Sequence, residues 1–168
     1  MTQTNWHNFK WNSYATKGNI QKILNFYVFL CPVEGVNVQS KKIDDYGWNS
    51  PLLKRSLSNK LRSQISEKHF IIAKNMSEFD VLLKNNKALT SRDYIIETVL
   101  LTSDQSNISE LLFRTIRNSF AHGSFLIKMK KKELYFILEN RNNGKLKSRM
   151  IIKEKTLLTW IDILKNKS

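Results

Sequence analysis

Cysteine, proline and glycine are scarce in this chain of 168 residues. The single cysteine, Cys31, excludes an intrachain disulfide and is typical of a protein kept in a reducing compartment. We interpret Cys31, which lies in the apolar run ILNFYVFLCP, as a buried thiol rather than a nucleophile, because no histidine or basic residue is near it in sequence. The few glycines form no glycine-rich phosphate loop.

Long apolar runs and clustered metal ligands are also missing. No stretch approaches the roughly 18 apolar residues of a membrane-spanning helix, and the N-terminal MTQTNWHNFKWN lacks the apolar centre of a signal peptide. The sequence therefore predicts a cytoplasmic protein with no membrane partner. The three histidines, His7, His69 and His122, are far apart and form no HExxH motif. We expect no metal ion and no cofactor.

Acidic residues are only half as numerous as basic ones. The chain has 14 Asp and Glu against 28 Lys and Arg, a net charge of +14. Residues 123–168 alone hold 12 Lys and Arg against 4 Asp and Glu. This distribution favours contact with a polyanion such as nucleic acid. A basic face that only meets solvent remains an alternative, because the chain is rich in the Lys, Asn and Ile of AT-rich codons.

Helical periodicity dominates the chain before Gly123. Leu57, Leu61 and Ile65 recur at helical spacing, and Asn107 and Gly123 are plausible boundaries of a later helix. The pattern predicts helices over 17–31, from about 52 to 65, near 67–75, 77–87 and 91–102, and over 107–122.

After Gly123 the spacing of the apolar residues changes from a helical repeat to every second residue. SFLIKMK places Phe125, Ile127 and Met129 on one face, and ELYFILEN alternates in the same way. Asn143-Gly144 is the strongest turn signal, and LKSRMIIK is a third candidate strand. The predicted fold is mainly α, a single domain over 1–168. It has an antiparallel helical bundle (about 17–122), a small antiparallel β-sheet or hairpin (about 124–153) and a C-terminal helix (about 154–166).

The stretch LLFRTIRNSFAHGSF, residues 111–125, has two unlike faces. On a helical wheel of about 100° per residue, the apolar residues fill one broad arc and Ser119 falls on the same side. The opposite arc holds Arg114, Arg117, Asn118, Ala121 and His122.

This polar arc has the residue types that phosphodiester cleavage needs. Histidine transfers protons near neutral pH. The arginine guanidinium stays charged, and its paired N–H donors match the oxygens of a phosphate. Together they favour His122 as a general acid or base and Arg117 as a stabiliser of charge on phosphorus. The alternative is an ordinary surface helix whose C-terminal histidine complements the helix dipole.

RNSFAH, within IRNSFAHG, resembles the Arg-x4–6-His motif of the HEPN superfamily. The resemblance implies a helical bundle and a metal-independent endoribonuclease, acting as a toxin or as an abortive-infection or other antiphage effector, with a cognate antitoxin as a possible partner. It implies that Arg117 and His122 are catalytic and that Asn118 is their polar partner. It also implies a homodimer that joins two motifs in one cleft, and products with a 2′,3′-cyclic phosphate and a 5′-hydroxyl.

Basic residues around the motif are candidates for binding the RNA backbone. We expect contacts from Arg114 and from four lysines of the following strands: Lys128, Lys130, Lys131 and Lys132. The same expected phosphate-binding surface includes Arg141, Lys145, Lys147 and Arg149. The competing interpretation is that these lysines keep a sheet edge soluble and unpaired. The alternative function is a non-catalytic HEPN-like module that binds nucleic acid or a protein.

Overall fold

The computed structural model describes residues 18–33, 41–90, 95–103 and 107–167. Within these ranges six helices and five strands follow one another along the chain. The helices are α1 (Gly18–Leu24, continued by a wider π-helical turn over Asn25–Leu30), α2 (Pro51–Arg62), α3 (Met76–Asn85), α4 (Lys87–Thr90), α5 (Ile108–Ala121) and α6 (Glu154–Lys165). The strands are β1 (Phe70–Ala73), β2 (Thr98–Thr102), β3 (Phe125–Lys130), β4 (Glu133–Asn142) and β5 (Lys145–Lys153). His7 lies outside the described residues.

All five strands belong to one mixed sheet. Their order is β1-β2-β5-β4-β3, with β1 and β2 parallel and every other neighbouring pair antiparallel. The protein therefore has an α/β fold, and the prediction of a mainly α bundle with a small appended hairpin is wrong. The strands that follow Gly123 are not an appendage, because they share a sheet with β1 and β2 from the first part of the chain.

The error arose at two short apolar runs. Helices were predicted near 67–75 and 91–102, but FIIA forms β1 and TVLLT forms β2. In β2 the residues Thr98–Leu101 are all buried, so no alternation of polar and apolar residues marks the strand. Periodicity alone cannot distinguish such a run from a buried helix. The helix predicted over 77–87 is confirmed as α3.

Local capping signals account for where the helices begin. Ser50 accepts a hydrogen bond from the Leu53 backbone N–H at 3.3 Å, and Pro51 occupies the first turn of α2. At the start of α3, Asn75 accepts from the Glu78 backbone N–H at 3.0 Å. These polar residues satisfy backbone donors that the first helical turn leaves without partners.

Helices cover the sheet on both faces. Helices α1, α2, α5 and α6 pack with Phe136, Leu138 and Met150, and we call this side the α5 face. Helices α3 and α4 pack on the other side of the sheet with Tyr135 and Ile137, which we call the α3 face. Strand β4 is therefore buried on both sides from Leu134 to Glu139, as an internal strand of a three-layer structure would be.

Two tight turns lie at opposite ends of the sheet, because the long strand β4 separates them. The β4–β5 turn has Asn143 at φ 49° and Gly144 at φ 75°, which confirms the predicted turn. The β3–β4 turn has Lys131 at φ 48° and Lys132 at φ 67°. Lysine rarely adopts this left-handed conformation, which costs roughly 1–2 kcal/mol per residue. The register between the strands outweighs the local preference there.

Candidate functional site

Helix α5 is anchored to the α5 face of the sheet. The Asn107 side chain accepts a hydrogen bond from the Ser109 backbone N–H at 2.9 Å, which confirms the predicted N-cap. Leu112, Phe113, Ile116 and Phe120 are buried, and the Phe120 ring lies 5.8 Å from the Phe136 ring. The apolar arc read from the sequence is therefore the arc that holds α5 on the sheet.

The C-terminal end of α5 turns directly into β3. The His122 N–H donates to the Asn118 carbonyl at 3.0 Å, and the Ser124 N–H donates to the Ser119 carbonyl at 2.8 Å. Between them Gly123 has φ 64°, a left-handed conformation that glycine adopts without a steric penalty. His122 is thus the last residue before a tight turn, and its position is set by both α5 and β3.

A strip of side chains on α5 faces away from the core. His122 and Ala121 are exposed, whereas the other three are half-buried. We call this set the polar strip; its members are Arg114, Arg117, Asn118, Ala121 and His122. Ser119 is buried and donates to the Thr115 carbonyl at 2.9 Å, so it plays no part in this surface.

Arg117 and Asn118 contact each other within the strip. Arg117 Nη1 donates to Asn118 Oδ1 at 3.1 Å, and Arg117 Nε is buried without a hydrogen-bond partner. A guanidinium has five N–H donors, of which Asn118 occupies one and burial removes the Nε–H from solvent. An anion would therefore have to bind the other Nη hydrogens. Asn118 restricts the orientation of a group that suits phosphate.

Cys31 is buried beneath the polar strip, and its thiol is unreactive. It is 2% exposed, and its Sγ–H donates to the Phe113 carbonyl at 3.6 Å. Burial raises the pKa of the Cys31 thiol well above its usual range, and the smaller opposing effect of the Arg117 guanidinium does not reverse this. The thiol stays protonated near neutral pH, so Cys31 is a buried structural residue and not a nucleophile.

The sheet separates two of the candidate RNA-binding lysines from α5. Lys128 pairs with Tyr135 and Lys130 pairs with Glu133 across the β3–β4 ladder. Residues directly opposite one another in such a ladder point to the same side, and Tyr135 belongs to the α3 face. Lys128 and Lys130 therefore lie on the α3 face, where Lys130 Nζ donates to the Ile95 carbonyl at 3.2 Å.

The other two lysines lie far from the motif, at the opposite end of β3. Lys131 and Lys132 form the β3–β4 turn, at the end of a strand that starts three residues after His122. A strand of this length spans about 20 Å. Of Arg114 and these four lysines, the structure brings only Arg114 together with Arg117, Asn118 and His122.

Another basic group does lie at the end of the sheet where α5 ends. The Glu139 N–H donates to the Ser124 carbonyl at 2.9 Å, so the end of β4 runs beside the turn that follows His122. We define the β4–β5 rim as Glu139, Arg141, Lys145, Lys147 and Arg149. The rim shares this end of the sheet with the motif, but Arg149 pairs with Leu100 and Arg141 pairs with Leu146. Leu100 and Leu146 belong to the α3 face, so these two guanidinium groups lie on the side of the sheet away from α5.

The comparisons with known proteins found no relative: no family model, no curated protein and no solved structure matches this chain.

Among the described residues, no group of three or more His, Cys, Asp or Glu side chains is arranged to hold a metal ion. Within the same ranges, no helix combines the length and apolar character needed to cross a membrane. The expectation of chemistry without a metal stays a prediction.

Proposed function

We propose that this chain is a metal-independent endoribonuclease in which Arg117, Asn118 and His122 form the catalytic group. The observation that carries the proposal is the exposed His122, one helical turn beyond Asn118, whose amide oxygen holds the Arg117 guanidinium at 3.1 Å. The resemblance of RNSFAH to the HEPN motif supports the same roles. The fold does not add to this resemblance, because the resemblance implies a helical bundle and the motif here lies on an α/β structure.

The reaction would use the 2′-hydroxyl of the RNA as its nucleophile. A bond forms between the 2′-oxygen and phosphorus, and the bond from phosphorus to the 5′-oxygen breaks. A base takes the proton of the 2′-hydroxyl, and an acid gives a proton to the leaving 5′-oxygen. The products are a 2′,3′-cyclic phosphate and a 5′-hydroxyl, and imidazole suits both proton transfers near neutral pH.

Arg117 and Asn118 would act on the charge that develops at phosphorus. A guanidinium donates two parallel hydrogen bonds to phosphate oxygens, which stabilises the doubly charged phosphorane more than the ground state. Asn118 would be the positioning residue, since its hydrogen bond limits the orientations open to Arg117.

The two proton transfers favour a site built from two copies of the chain. Each chain supplies a single histidine to the polar strip, whereas the reaction uses one base and one acid. A two-fold axis near the exposed Ala121 would place two α5 helices side by side, each contributing Arg117 and His122. A bound phosphate would relieve the repulsion between the two Arg117 guanidinium groups.

We expect Ala121→Trp to split this homodimer or to block its cleft without unfolding the chain, because Ala121 is exposed at the proposed contact between the two α5 helices. Light scattering and RNA cleavage measure the two effects. Val81→Trp is the matched control, since Val81 is 56% exposed on α3 at the other side of the sheet. A monomer at micromolar concentration that cleaves RNA at the full rate would contradict the dimeric site.

The direct test is cleavage of RNA by the purified chain in the presence of EDTA. We expect undiminished cleavage, with a cyclic phosphate and a 5′-hydroxyl identified at the new ends by mass spectrometry. Activity lost in EDTA and restored by a divalent cation would refute the proposed mechanism. In a cell, such an activity would suit a cytoplasmic toxin or antiphage effector that a cognate antitoxin protein restrains.

A second candidate is a module that binds nucleic acid without cleaving it. The basic β4–β5 rim favours this candidate, because it could hold RNA whether or not His122 takes part in chemistry. The two functions differ in one measurable respect: binding alone gives no new RNA ends at any protein concentration.

A further inference from the structure

A neutral polar pair lies on the α5 face, at the end of the sheet where α5 ends. Ser148 on β5 pairs with Asn140 on β4, and its neighbour on the other side is Leu101 of β2. Leu101 packs in the core of the α5 face, and residues opposite one another in a ladder point to the same side. Asn140 and Ser148 therefore lie on the side of the sheet that α5 covers, in contrast to the guanidinium groups of the rim.

Helix α5 crosses the sheet above this pair. Strand β2 ends at Thr102 shortly before α5 begins, and β3 begins at Phe125 shortly after α5 ends. Strands β5 and β4 lie between β2 and β3 in the sheet. Both ends of α5 are thus tied to the same end of the sheet, and the helix passes over the strands that carry Ser148 and Asn140.

Asn140 lies beside the turn that follows His122. The Glu139 N–H donates to the Ser124 carbonyl at 2.9 Å, so the antiparallel register of β3 and β4 extends past the first residue of β3. The next step of this register places Gly123 opposite Asn140, at the spacing of neighbouring strands, about 4.8 Å. The end of α5 and the end of β4 therefore bring the imidazole of His122 and the amide of Asn140 to one region of the surface.

The hydrogen-bonding capacity of the pair is not used up within the sheet. Ser148 is 2% exposed, and its hydroxyl is buried without a hydrogen-bond partner. Asn140 is half-buried, so part of this residue is open to solvent. A bond between the hydroxyl and the amide would satisfy Ser148, and it would leave the outer donor or acceptor of Asn140 for a ligand.

We infer that Asn140, positioned by Ser148, hydrogen-bonds to the edge of an RNA base next to the phosphate that meets His122, a role that rests on the proposed ribonuclease function. The ligand class follows from the chemistry of the pair. An uncharged amide has both donors and an acceptor, as a base edge has, and it lacks the charge with which lysine and arginine hold phosphates. The bases of single-stranded RNA are unpaired, so their edges are open to such contacts.

Aspartate in place of Asn140 tests this role, because it turns a mixed donor and acceptor into an acceptor of the same shape. Cytosine presents an amino donor at N4 where uracil presents the O4 acceptor, and a carboxylate pairs with the donor. Fluorescence anisotropy of labelled oligocytidylate and oligouridylate is measured in a His122→Ala background, which does not cut them. We expect Asn140→Asp to raise the ratio of oligocytidylate affinity to oligouridylate affinity by at least about fivefold.

Asn85→Asp is the matched control. Asn85 is exposed on α3, on the other side of the sheet, and the substitution adds the same negative charge. Repulsion of the phosphates weakens the binding of both oligonucleotides alike, so it cancels in the ratio of the two affinities. An unchanged ratio in Asn140→Asp, or an equal rise in Asn85→Asp, would overturn the inference.

Two further variants separate base recognition from folding. Asn140→Ala adds no charge and should bind the two oligonucleotides equally, because it removes the group that distinguishes an amino group from a carbonyl. Ser148→Ala should move the ratio in the same direction without lowering the midpoint of thermal unfolding, since the lost hydroxyl has no partner among the described residues. Partial unfolding of a sample leaves the ratio unaltered, because the same protein binds both oligonucleotides. A difference between the two affinities that Asn140→Ala retains in full overturns the inference.

Cleavage separates this inference from the proposed function. If the wild-type chain produces no new RNA ends while Asn140→Asp raises the ratio, the ribonuclease proposal fails and Asn140 remains a base-recognition residue. If the chain cleaves RNA and the ratio is unaltered, the inference alone fails. If the His122→Ala chain binds neither oligonucleotide, the inference is overturned.

Discussion

Replacing His122 with alanine should lower the rate of RNA cleavage by about 10²–10⁴-fold, the usual contribution of a general acid or base. The loss belongs to proton transfer, because His122 is exposed at the end of α5 and its side chain supports no part of the core. Single-turnover cleavage of a labelled RNA measures the effect. Thermal unfolding and RNA affinity should stay close to those of the wild-type chain.

His69 serves as the matched control for His122. It lies in the 3₁₀ turn before β1, the edge strand farthest from β3, which follows the polar strip. His69→Ala should cleave RNA at the wild-type rate, after allowance for any change in stability. Equal rates in the wild type and in His122→Ala would remove the histidine from the mechanism and leave binding as the function of the strip.

Replacing Phe136 with alanine should reduce the free energy of unfolding by about 3–5 kcal/mol, as expected for a large aromatic side chain lost from a packed core. Phe136 is fully buried on β4, and its ring lies 5.8 Å from the Phe120 ring of α5. Truncation would leave a cavity between the sheet and the helix that carries the polar strip. Urea unfolding followed by circular dichroism measures the change.

The same variant distinguishes the α/β fold from a helical bundle with a peripheral hairpin. In a bundle the β4 residues would lie at the margin of the core, and the loss would be small. Leu52→Ala is the control, because Leu52 is 79% exposed on α2 and its truncation should change stability by less than about 0.5 kcal/mol. A loss below about 1 kcal/mol for Phe136→Ala would contradict the position of β4 as an internal strand buried on both sides.

Sequence reasoning succeeded where the signals are local. The apolar arc lies within one helix, and Asn107 and Gly123 lie directly beside its two ends, so α5 and its outward strip follow from spacing alone. The Asn143-Gly144 turn is equally local, because both residues tolerate the left-handed backbone that the turn needs. These elements were correctly predicted without any knowledge of their neighbours.

Sequence reasoning failed where an element depends on a distant partner. Strand β2 is hydrogen-bonded to β5, with Leu100 opposite Arg149 almost fifty residues later, and β1 in turn is hydrogen-bonded to β2. Pairing with a distant strand leaves no periodic pattern in a run of four consecutive buried residues. The two missed strands changed the fold class, because they turn a local hairpin into a five-stranded sheet.

The amino-acid sequence by itself determined the polar strip of α5, since the 3.6-residue helical repeat places Arg117, Asn118 and His122 on one side. The tertiary structure decided which charged residues lie beside that strip. Basic residues occur in both turns after Gly123, but β3 carries Lys131 and Lys132 to the far end of the sheet, and the pairing of β4 with β5 turns Arg141 and Arg149 to the α3 face, away from α5. Strand order and register are properties of the folded sheet, and no spacing along the chain specifies them.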